Sequence, residues 1–365
     1  MVQPLQKFCS GFLPIESFRH SVRACLKMSV LKAILEEHFQ TCAGQPEKLI
    51  WLQRAQCFTG AKAATTNVRC NMSFLSYLIN GVSLGSIYAI IALGYTMVYG
   101  IAKMLNFAHG DVIMIGAFVM LSALNTMSLP LIPAVIVAVV ACTVLGVVIE
   151  RIAYRPLRNA ASPLAVLITA IGVSYLLQNV ALLIFGANTV SFPNKITLPA
   201  LSLAGGSLVI SSVTIVTIVA CVVIMIALLL FINRTKAGQA MLAVSEDKGA
   251  AQLMGINVDG TIALTFAIGS ALAAIAGFLL FTAYPSLDPY KGAMPGIKAF
   301  VAAVFGGIGS VPGAMIGGIL LGIIEILAKA YISSQLSDAI VFGVLIVVLL
   351  VKPTGLLGKK IQEKV

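Results

Sequence analysis

Long stretches without a charged residue dominate this chain after residue 70. The uncharged runs cover residues 71–102, 159–194, 196–233, 260–287 and 299–324. A helix needs about 20 apolar residues to cross the hydrocarbon of a bilayer, so each run can hold one crossing or two short ones. The pattern predicts helical spans at residues 74–100, 104–125, 129–149, 163–186, 209–232, 261–283, 298–310, 312–330 and 338–351.

The composition supports the same conclusion. Of the 365 residues, 59% are hydrophobic, and the mean hydropathy is +1.01. A soluble domain must keep a wet exterior and cannot use so much apolar surface. The uniformly apolar runs also lack the alternation of a transmembrane β-barrel. We therefore predict an all-α, polytopic membrane protein with about eight to nine transmembrane segments.

Small residues recur at four-residue spacing in several of the predicted spans. This spacing places them on one helix face, where they let two backbones approach closely inside a membrane. We therefore expect close helix packing at three pairs: Gly81/Gly85, Gly313/Gly317 and Gly318/Gly322.

Residues 1–71 differ from the rest of the chain. They hold five of the seven cysteines, two of the three histidines and nine of the 24 Lys and Arg residues, but no run long enough to span a membrane. From Met72 the chain enters an apolar helix at once. We expect residues 1–71 to be an atypical extension, either disordered or the product of a mis-assigned start, and residues 72–365 to form the membrane domain. A soluble N-terminal domain is the alternative.

The charges indicate the topology. The net charge is +11, but the basic residues collect in short loops at 151–158, 234–248 and 352–360 rather than in a patch with aromatic residues. Short basic loops are typical of the cytoplasmic side, and the pattern does not favour nucleic-acid binding. The loops at 186–208 and 284–297 then face outside. Three crossings must follow residue 284, so the run at 298–318 should break at Gly309–Pro312.

Polar residues near a membrane boundary form the string NFAHGD, residues 106–111. Ionisable groups at depth are costly and often mark a pathway. Alternatively, His109 and Asp111 lie at the interface, and Asn106 caps the following helix. Glu325 and Lys329, spaced i and i+4, predict a structural ion pair on one helix face.

Catalytic, cofactor and metal sites are not indicated by any motif. The membrane domain has a single histidine, and no CxxC or Cys/His ligand spacing occurs. We therefore predict no catalytic, cofactor-binding or metal site, and a protein that is not an enzyme. Cys142 and Cys221 are expected to be buried small hydrophobic residues.

An acidic, alanine-rich island interrupts the apolar runs within the loop 233–260. The pattern predicts a first helix at 236–244. Ser245 can cap a second helix that carries Glu246 and Asp247 in its first turn, and Gly255 is a natural end. The apolar side of the second helix would consist of Ala250, Ala251, Leu253 and Met254. Such a small, alanine-rich face suits insertion into a groove on another protein.

The segment GAAQLMG resembles the EAAxxxG loop by which permeases of ATP-binding-cassette (ABC) importers contact their ATPases, with Gly249 in place of the Glu. GVSLGSIYAIIALGYTMVYGI, LNFAHGD, ERIAYRPLR, LITAIGVSYLLQN, GINVDGTIALTFAIGSALAAIAG, KAFVAAVFGGIGSVPGAMIGG and KPTGLLG resemble the branched-chain amino acid permease family of the LivH type. This resemblance covers Met72 to the C-terminus.

The resemblance implies a permease subunit in a bacterial inner membrane. Its implied partners are a second, LivM-like permease, two cytoplasmic ABC ATPases and a periplasmic binding protein for leucine, isoleucine or valine. The loop 233–260 would be the cytoplasmic coupling-helix loop, with ATPase contacts at Ser245, Glu246, Asp247, Ala250, Ala251 and Gly255. We assign the translocation path to Asn106, His109, Gly309 and Pro312.

The principal alternative is an ion- or proton-coupled secondary transporter that acts without ATPases. It predicts paired carboxylates inside the membrane or an inverted repeat, and the sequence indicates neither. A membrane enzyme is disfavoured because the catalytic groups are missing.

Overall fold

The structure is a computed structural model that describes residues 65–158, 163–193, 201–203 and 208–358. Helices account for most of these residues, as the uncharged runs predict. The helices before the acidic island are α1 Thr65–Ala102, α2 His109–Asn125, α3 Leu131–Ile149, α4 Pro163–Phe185 and α5 Ser212–Arg234. The later helices are α6 Lys236–Glu246, α7 Lys248–Leu253, α8 Val258–Ala283, α9 Ala293–Gly306, α10 Val311–Tyr331 and α11 Ser337–Val351.

Short non-α elements complete the described part. Helix α3 continues into a π-helical turn, Glu150–Tyr154, and a 3-10 turn, Arg155–Leu157. Four strands form two antiparallel pairs. β1 Val190–Ser191 pairs with β4 Ser286–Leu287, and β2 Leu201–Leu203 pairs with β3 Leu208–Ile210. The first pair joins the loops after α4 and α8, the two segments that the charge pattern assigns to the outside.

Six helices in the described ranges are long and apolar enough to cross a membrane: α1, α3, α4, α5, α8 and α10. Helices α2, α9 and α11 are apolar but shorter. Helix α9 has 14 residues, which at about 1.5 Å per residue span about 21 Å. That is less than the roughly 30 Å hydrocarbon core. The structure therefore supports a multi-pass helical protein, while the number of eight to nine crossings stays a prediction.

The helix boundaries differ from the predicted ones at both ends of the first span. Helix α1 begins at Thr65, so helix runs across the predicted boundary at residue 72, and residues 1–64 lie outside the described residues. The nature of the extension therefore stays a prediction. Residues 103–108 are not helical, because Lys103 has a left-handed backbone with φ of 58° that turns the chain out of α1.

The predicted interruption in the last third is confirmed, although it lies slightly earlier. Helix α9 ends at Gly306 and α10 begins at Val311, so residues 307–310 form the break. Pro312 belongs to the first turn of α10, where a missing N–H donor costs no helical hydrogen bond. Gly307 and Gly309 have positive φ values of 107° and 91°, which explains glycine at both positions.

Glycines bring α1 and α10 into backbone contact. Gly81 lies against Ile323, and Gly85 lies against Ile319 and Gly322, so the two helices run antiparallel. A Cβ atom on Gly85 would lie 2.6 Å from the Cα of Ile319, a distance that real Cβ atoms do not reach. Close approach through small residues is the packing mode expected inside a membrane.

A second glycine contact joins α9 and α10. Gly313 lies against Gly306, and Gly317 lies against Ala302 and Gly306. With the contact between Gly318 and Ala89 on the other side of α10, all three predicted glycine pairs pack against another helix. The expectation of close packing at these pairs is confirmed.

Helix α8 is the centre of the described bundle. In the most apolar 18-residue stretch of α8, 72% of the residues are buried. The corresponding share is 22% in α4 and α5 and 28% in α3. Helix α8 packs closely on α3 through Gly146 and Ser270 and on α2 through Gly277 and Ile113. Cys142 and Cys221 are buried free thiols, as predicted. The apolar outer surfaces of α3, α4 and α5 are those expected to face lipid.

The basic loops meet at one end of the bundle. Arg155 and Arg158 both pair with Asp259, which lies at the start of α8. The ammonium of Lys248 reaches the end of α1, and Gly100 of α1 lies close to Gly309 of the break. We call residues 100–108, 150–158, 235–259 and 307–310 the charged end. Its loops share one side, as the predicted topology requires.

Replacing Gly322 by Leu should force α1 and α10 apart, because its Cα faces the backbone of Gly85. Overpacking of this kind typically costs about 1–3 kcal/mol, so the Tm of the detergent-purified protein should fall by several degrees. Gly172→Leu is the matched control, since nothing lies within 4 Å of a Cβ there. Equal Tm values for the two variants would contradict the assigned contact.

Candidate functional site

Asn106 lies in the non-helical segment between α1 and α2, which we call the return loop, residues 103–108. Its side chain is buried, and its Oδ1 accepts a hydrogen bond of 2.9 Å from the hydroxyl of Tyr154 in the π-helical turn. The N-cap position of α2 is Ala108, and no side chain caps the helix. The prediction that Asn106 caps this helix is therefore wrong, because the loop turns its side chain towards the end of α3.

His109 is the first residue of α2 and is 1% exposed. Its ring packs edge-on against Tyr95 at 4.7 Å between centroids, and no hydrogen-bond partner for its Nε2 is present among the described residues. A Cβ atom on Gly94 would lie 2.6 Å from this nitrogen, so the glycine makes room for the ring. His109 is therefore buried between helices, and the choice between a pathway residue and a residue at the membrane interface stays a prediction.

Asp111 is also buried, with 1% of its surface exposed, and its position relative to the membrane interface likewise stays a prediction. Its carboxylate accepts hydrogen bonds from the hydroxyl of Ser174 and from the side-chain amide of Gln178, the latter at 2.9 Å. Both donors lie on α4. Their i, i+4 spacing places two polar side chains on one face of an apolar helix, a pattern in the sequence from which this contact could have been inferred. The three side chains tie the otherwise apolar α4 to α2.

A small cavity lies beside the return loop at the charged end. It is lined by Tyr95, Tyr99, Met104, Leu105, Asn106, Phe300, Ala303 and Ile308. Asn106 faces it directly, and His109 is separated from it by the ring of Tyr95. Gly309 follows the lining residue Ile308 in the break, whereas Pro312 is exposed on the first turn of α10. Of the four predicted path residues, Asn106 alone lines this cavity, while His109 contacts one lining residue, Tyr95, and Gly309 follows another, Ile308.

Glu325 is the centre of a buried ion-pair cluster on α10. Its carboxylate accepts from Lys329 at 2.5 Å, from Lys298 of α9 at 2.9 Å and from the hydroxyl of Tyr88 of α1 at 2.9 Å. Lys298 also pairs with Asp338 at the start of α11 at 2.7 Å. The pair with Lys329 is confirmed. The sequence did not reveal the other partners, because they lie on different helices.

The loop 233–260 begins with a rigid helix. The hydroxyl of Thr235 caps α6 by accepting from the backbone N–H of Gly238, and Gly238 packs on the backbone of Ile232. Met241 and Val244 are fully buried beneath α6. The helix is therefore fixed to the bundle rather than free in solution.

The second helix of the loop starts two residues later than predicted. Asp247 caps α7, because its carboxylate accepts from the N–H groups of Gly249 and Ala250 at 2.8 and 3.0 Å. Ser245 instead bonds the carbonyl of Leu242, and Glu246 ends α6. Ser245 is therefore not the cap, and Glu246 and Asp247 do not form the first turn of α7. An ionised Asp satisfies two helix-start donors at once, which a single hydroxyl does less well.

The predicted apolar side of α7 is divided in two. Ala251 is 4% exposed and faces the chain itself, whereas Leu253 and Met254 are 90% and 82% exposed. Gly255 ends the helix as predicted, with a left-handed φ of 79°. The side chains of Leu253 and Met254 lie just before this turn and are exposed. The prediction of one continuous apolar side is wrong, because α7 has only 6 residues and Leu253 and Met254 lie at its end.

Lys248 joins α7 to the end of α1. Its ammonium donates a hydrogen bond of 3.1 Å to the carbonyl of Ala102, the last residue of α1. Cations near a helix C-terminus stabilise the unpaired carbonyls there. Burial lowers the pKa of the Lys248 side chain, and the positive charges of Arg158 and Lys103 lower it further.

These features define a polytopic membrane protein with a rigid surface loop that carries two exposed apolar side chains. Residues 77–349 match the family described as the permease component of the branched-chain amino acid transport system, so the chain belongs to this family. It is therefore a transport subunit and not an enzyme, and ATP is hydrolysed in the separate ATPase subunits of such ABC importers.

Two curated relatives match almost over their full length. The chain is 47% identical over 310 residues to the high-affinity branched-chain amino acid transport system permease protein LivH of Escherichia coli K12. It is 46% identical over 304 residues to the corresponding protein BraD of Pseudomonas aeruginosa. Each alignment covers 80% of this chain and 98% of the relative. The solved structure PsaBC from Streptococcus pneumoniae in complex with Fab aligns with a TM-score of 0.43 and 12% identity, covering 82% of this chain and 96% of that chain.

Replacing Glu325 by Gln should destabilise the bundle by about 3 kcal/mol, within the range for breaking a buried ion pair. Lys329→Met should cost at most about 1 kcal/mol, since exposed pairs contribute little and this lysine side chain is 37% exposed. The measurement is the Tm of each purified variant in the same detergent. A larger loss for Lys329→Met would show that Glu325 is not the centre of the cluster.

Proposed function

We propose that the chain is the transmembrane permease subunit of an ABC importer for leucine, isoleucine and valine. In this proposal it pairs with a second, LivM-like permease in a bacterial inner membrane. A periplasmic binding protein delivers the amino acid, and two cytoplasmic ABC ATPases drive the transport cycle. The observation that carries the proposal is near-full-length similarity to permeases named for these substrates.

The proposal assigns the charged end to the cytoplasm and the contact between β1 and β4 to the periplasmic side. The basic loops favour this orientation. The domain division at residues 71 and 72 and the translocation path at Asn106, His109 and Gly309 also belong to the proposal. Support for the path comes from the cavity that Asn106 lines beside the break. Pro312 does not line this cavity. It belongs to the proposed path only through its position in the first turn of α10, the helix that follows the break.

The loop 233–260 is proposed to couple the permease to its ATPases. Leu253 and Met254 are the best candidates for insertion into an ATPase groove, because they are large, apolar and almost fully exposed on a loop that faces water. Ala250, Glu246, Asp247 and Gly255 are exposed and stay candidates for the rim of the contact, with half-buried Ser245 beside them. Ala251 is not a candidate, because it is buried against its own chain.

Substrate class and ATP dependence are tested together in proteoliposomes that contain this chain with its second permease and the two ATPases. We expect binding-protein-dependent uptake of radiolabelled leucine, isoleucine and valine that requires internal ATP. Uptake that persists without ATP would support the secondary-transporter alternative instead. ATP-dependent uptake of an unrelated solute, with none of these amino acids, would refute the proposed substrate.

Replacing both Leu253 and Met254 by Asp should remove the docking anchors without disturbing the bundle, since neither side chain packs in the fold. Anchors at an interface centre typically contribute about 2 kcal/mol each, so the ATPase that co-purifies with the permease should fall at least about tenfold. Met127→Asp is the matched control, because Met127 is 64% exposed in the turn between α2 and α3. Full ATPase recovery with the double variant would show that the loop is not the docking site.

A further inference from the structure

The return loop is the segment that leads from α1 back into the bundle. It starts with the left-handed residue Lys103, lines the cavity with Met104, Leu105 and Asn106, and ends at Ala108, just before α2. A loop with few regular backbone hydrogen bonds is the part of this region that can shift at the lowest cost. Two separate sets of side chains hold it in place.

The first tie holds the start of the loop. The ammonium of Lys248, at the beginning of α7, donates to the carbonyl of Ala102 at 3.1 Å. The next residue, Lys103, already has the left-handed conformation that turns the chain. A movement of α7 therefore acts on the residue at which α1 ends and the return loop begins.

The second tie holds the middle of the return loop and comes from the end of the loop 233–260, which we call the coupling loop. Asp259, at the start of α8, pairs with Arg155 at 2.6 Å and with Arg158. Arg158 in turn pairs with the buried carboxylate of Glu150. These charges fix the π-helical turn, whose last residue, Tyr154, donates its hydroxyl to Asn106 at 2.9 Å.

Two parts of the coupling loop, its middle at Lys248 and its end at Asp259, are therefore connected to the return loop or to the residue just before it by separate routes. One route is a single hydrogen bond from α7. The other passes from Asp259 through Arg155 and Arg158 to the π-helical turn and then to Asn106. The bond between Tyr154 and Asn106 is buried, those of Lys248 and Arg158 are half-buried, and the pair of Arg155 with Asp259 is exposed, so a shift of the coupling loop must strain or break at least the first three contacts if the return loop stays in place.

We propose that Lys248, Asp259, Arg158 and Tyr154 are positioning residues that transmit movement of the coupling loop to the return loop. The return loop is then the movable wall of the path at the cytoplasmic end. This inference rests on the proposed function, because it needs an ATPase that moves the coupling loop. None of the four residues needs to contact the transported amino acid.

The first test uses Tyr154→Phe in the complete transporter, where the only change is the hydroxyl that holds Asn106. We expect normal assembly with the ATPases and an increase of at least about threefold in ATP hydrolysed per leucine imported, the order of effect of one lost neutral hydrogen bond. Tyr175→Phe is the matched control, since Tyr175 is 63% exposed on α4 and should keep the wild-type ratio. An unchanged ratio in Tyr154→Phe would overturn the proposal.

A double-mutant cycle of Tyr154→Phe and Asn106→Ala separates transmission from general loss of packing. If the hydroxyl acts through Asn106, the two changes together should raise the ratio of ATP to leucine no further than Asn106→Ala alone. Fully additive effects would show that Tyr154 does not act through the loop. Failure of wild-type transporter to couple ATP to uptake would instead refute the proposed function.

The charged residues at the start of the two ties are tested by Lys248→Met and Lys248→Arg for the first tie and by Asp259→Asn for the second. We expect Lys248→Met and Asp259→Asn to hydrolyse ATP with reduced leucine uptake. Lys248→Arg should restore most of the uptake, because a guanidinium can also reach the carbonyl of Ala102. Loss of uptake with the ratio of ATP to leucine unchanged in both tie variants, or no rescue by Arg, would assign these residues to folding alone and overturn the proposal.

Discussion

Backbone N–H and C=O groups find no partner in hydrocarbon, and this constraint decides where the helices of the chain can stop. The break after α9 is covered by the C-terminal segment, whose residues Leu356 and Leu357 donate to the carbonyls of Phe305 and Gly306 at 2.9 Å each. The return loop is covered by the π-helical turn and by α7. At the break another segment therefore completes the backbone hydrogen bonds, at the return loop neighbouring side chains hold Asn106 and the end of α1, and both irregular segments border the same cavity.

Close packing and buried charge then hold the frame around this cavity. Glycines let α10 contact α1 on one side and α9 on the other, so these three helices form one closely packed group. The cluster around Glu325 links the same helices to α11 by charge and lies away from the charged end. In the proposed mechanism a rigid frame favours movement of the return loop, because a displacement at the charged end is not absorbed by loose helix contacts.

The loop 233–260 has a buried inner side and an exposed outer side. Its inner side, with Met241, Val244 and Ala251, is part of the core of the bundle. Its outer side presents Leu253 and Met254 to water and to the proposed ATPases. Because the polar ties of Lys248 and Asp259 start from the same loop, the proposed ATPase contact and the proposed path would be connected through about 20 residues of one segment. Family membership alone does not reveal this arrangement.

The sequence by itself determined the membrane class, most spans, the break before α10 and the glycine contacts, because each depends on composition or on spacing along one helix. It also indicated two short helices within residues 233–260, the helix end at Gly255 and the pair between Glu325 and Lys329. Only the tertiary structure decided that Asn106 bonds Tyr154, that His109 and Asp111 are buried, and that Ala251 faces inward while Leu253 and Met254 face outward. Those outcomes depend on how helices distant in sequence stack. A local pattern can show that a side chain is polar or apolar, but the neighbouring helix decides what it touches.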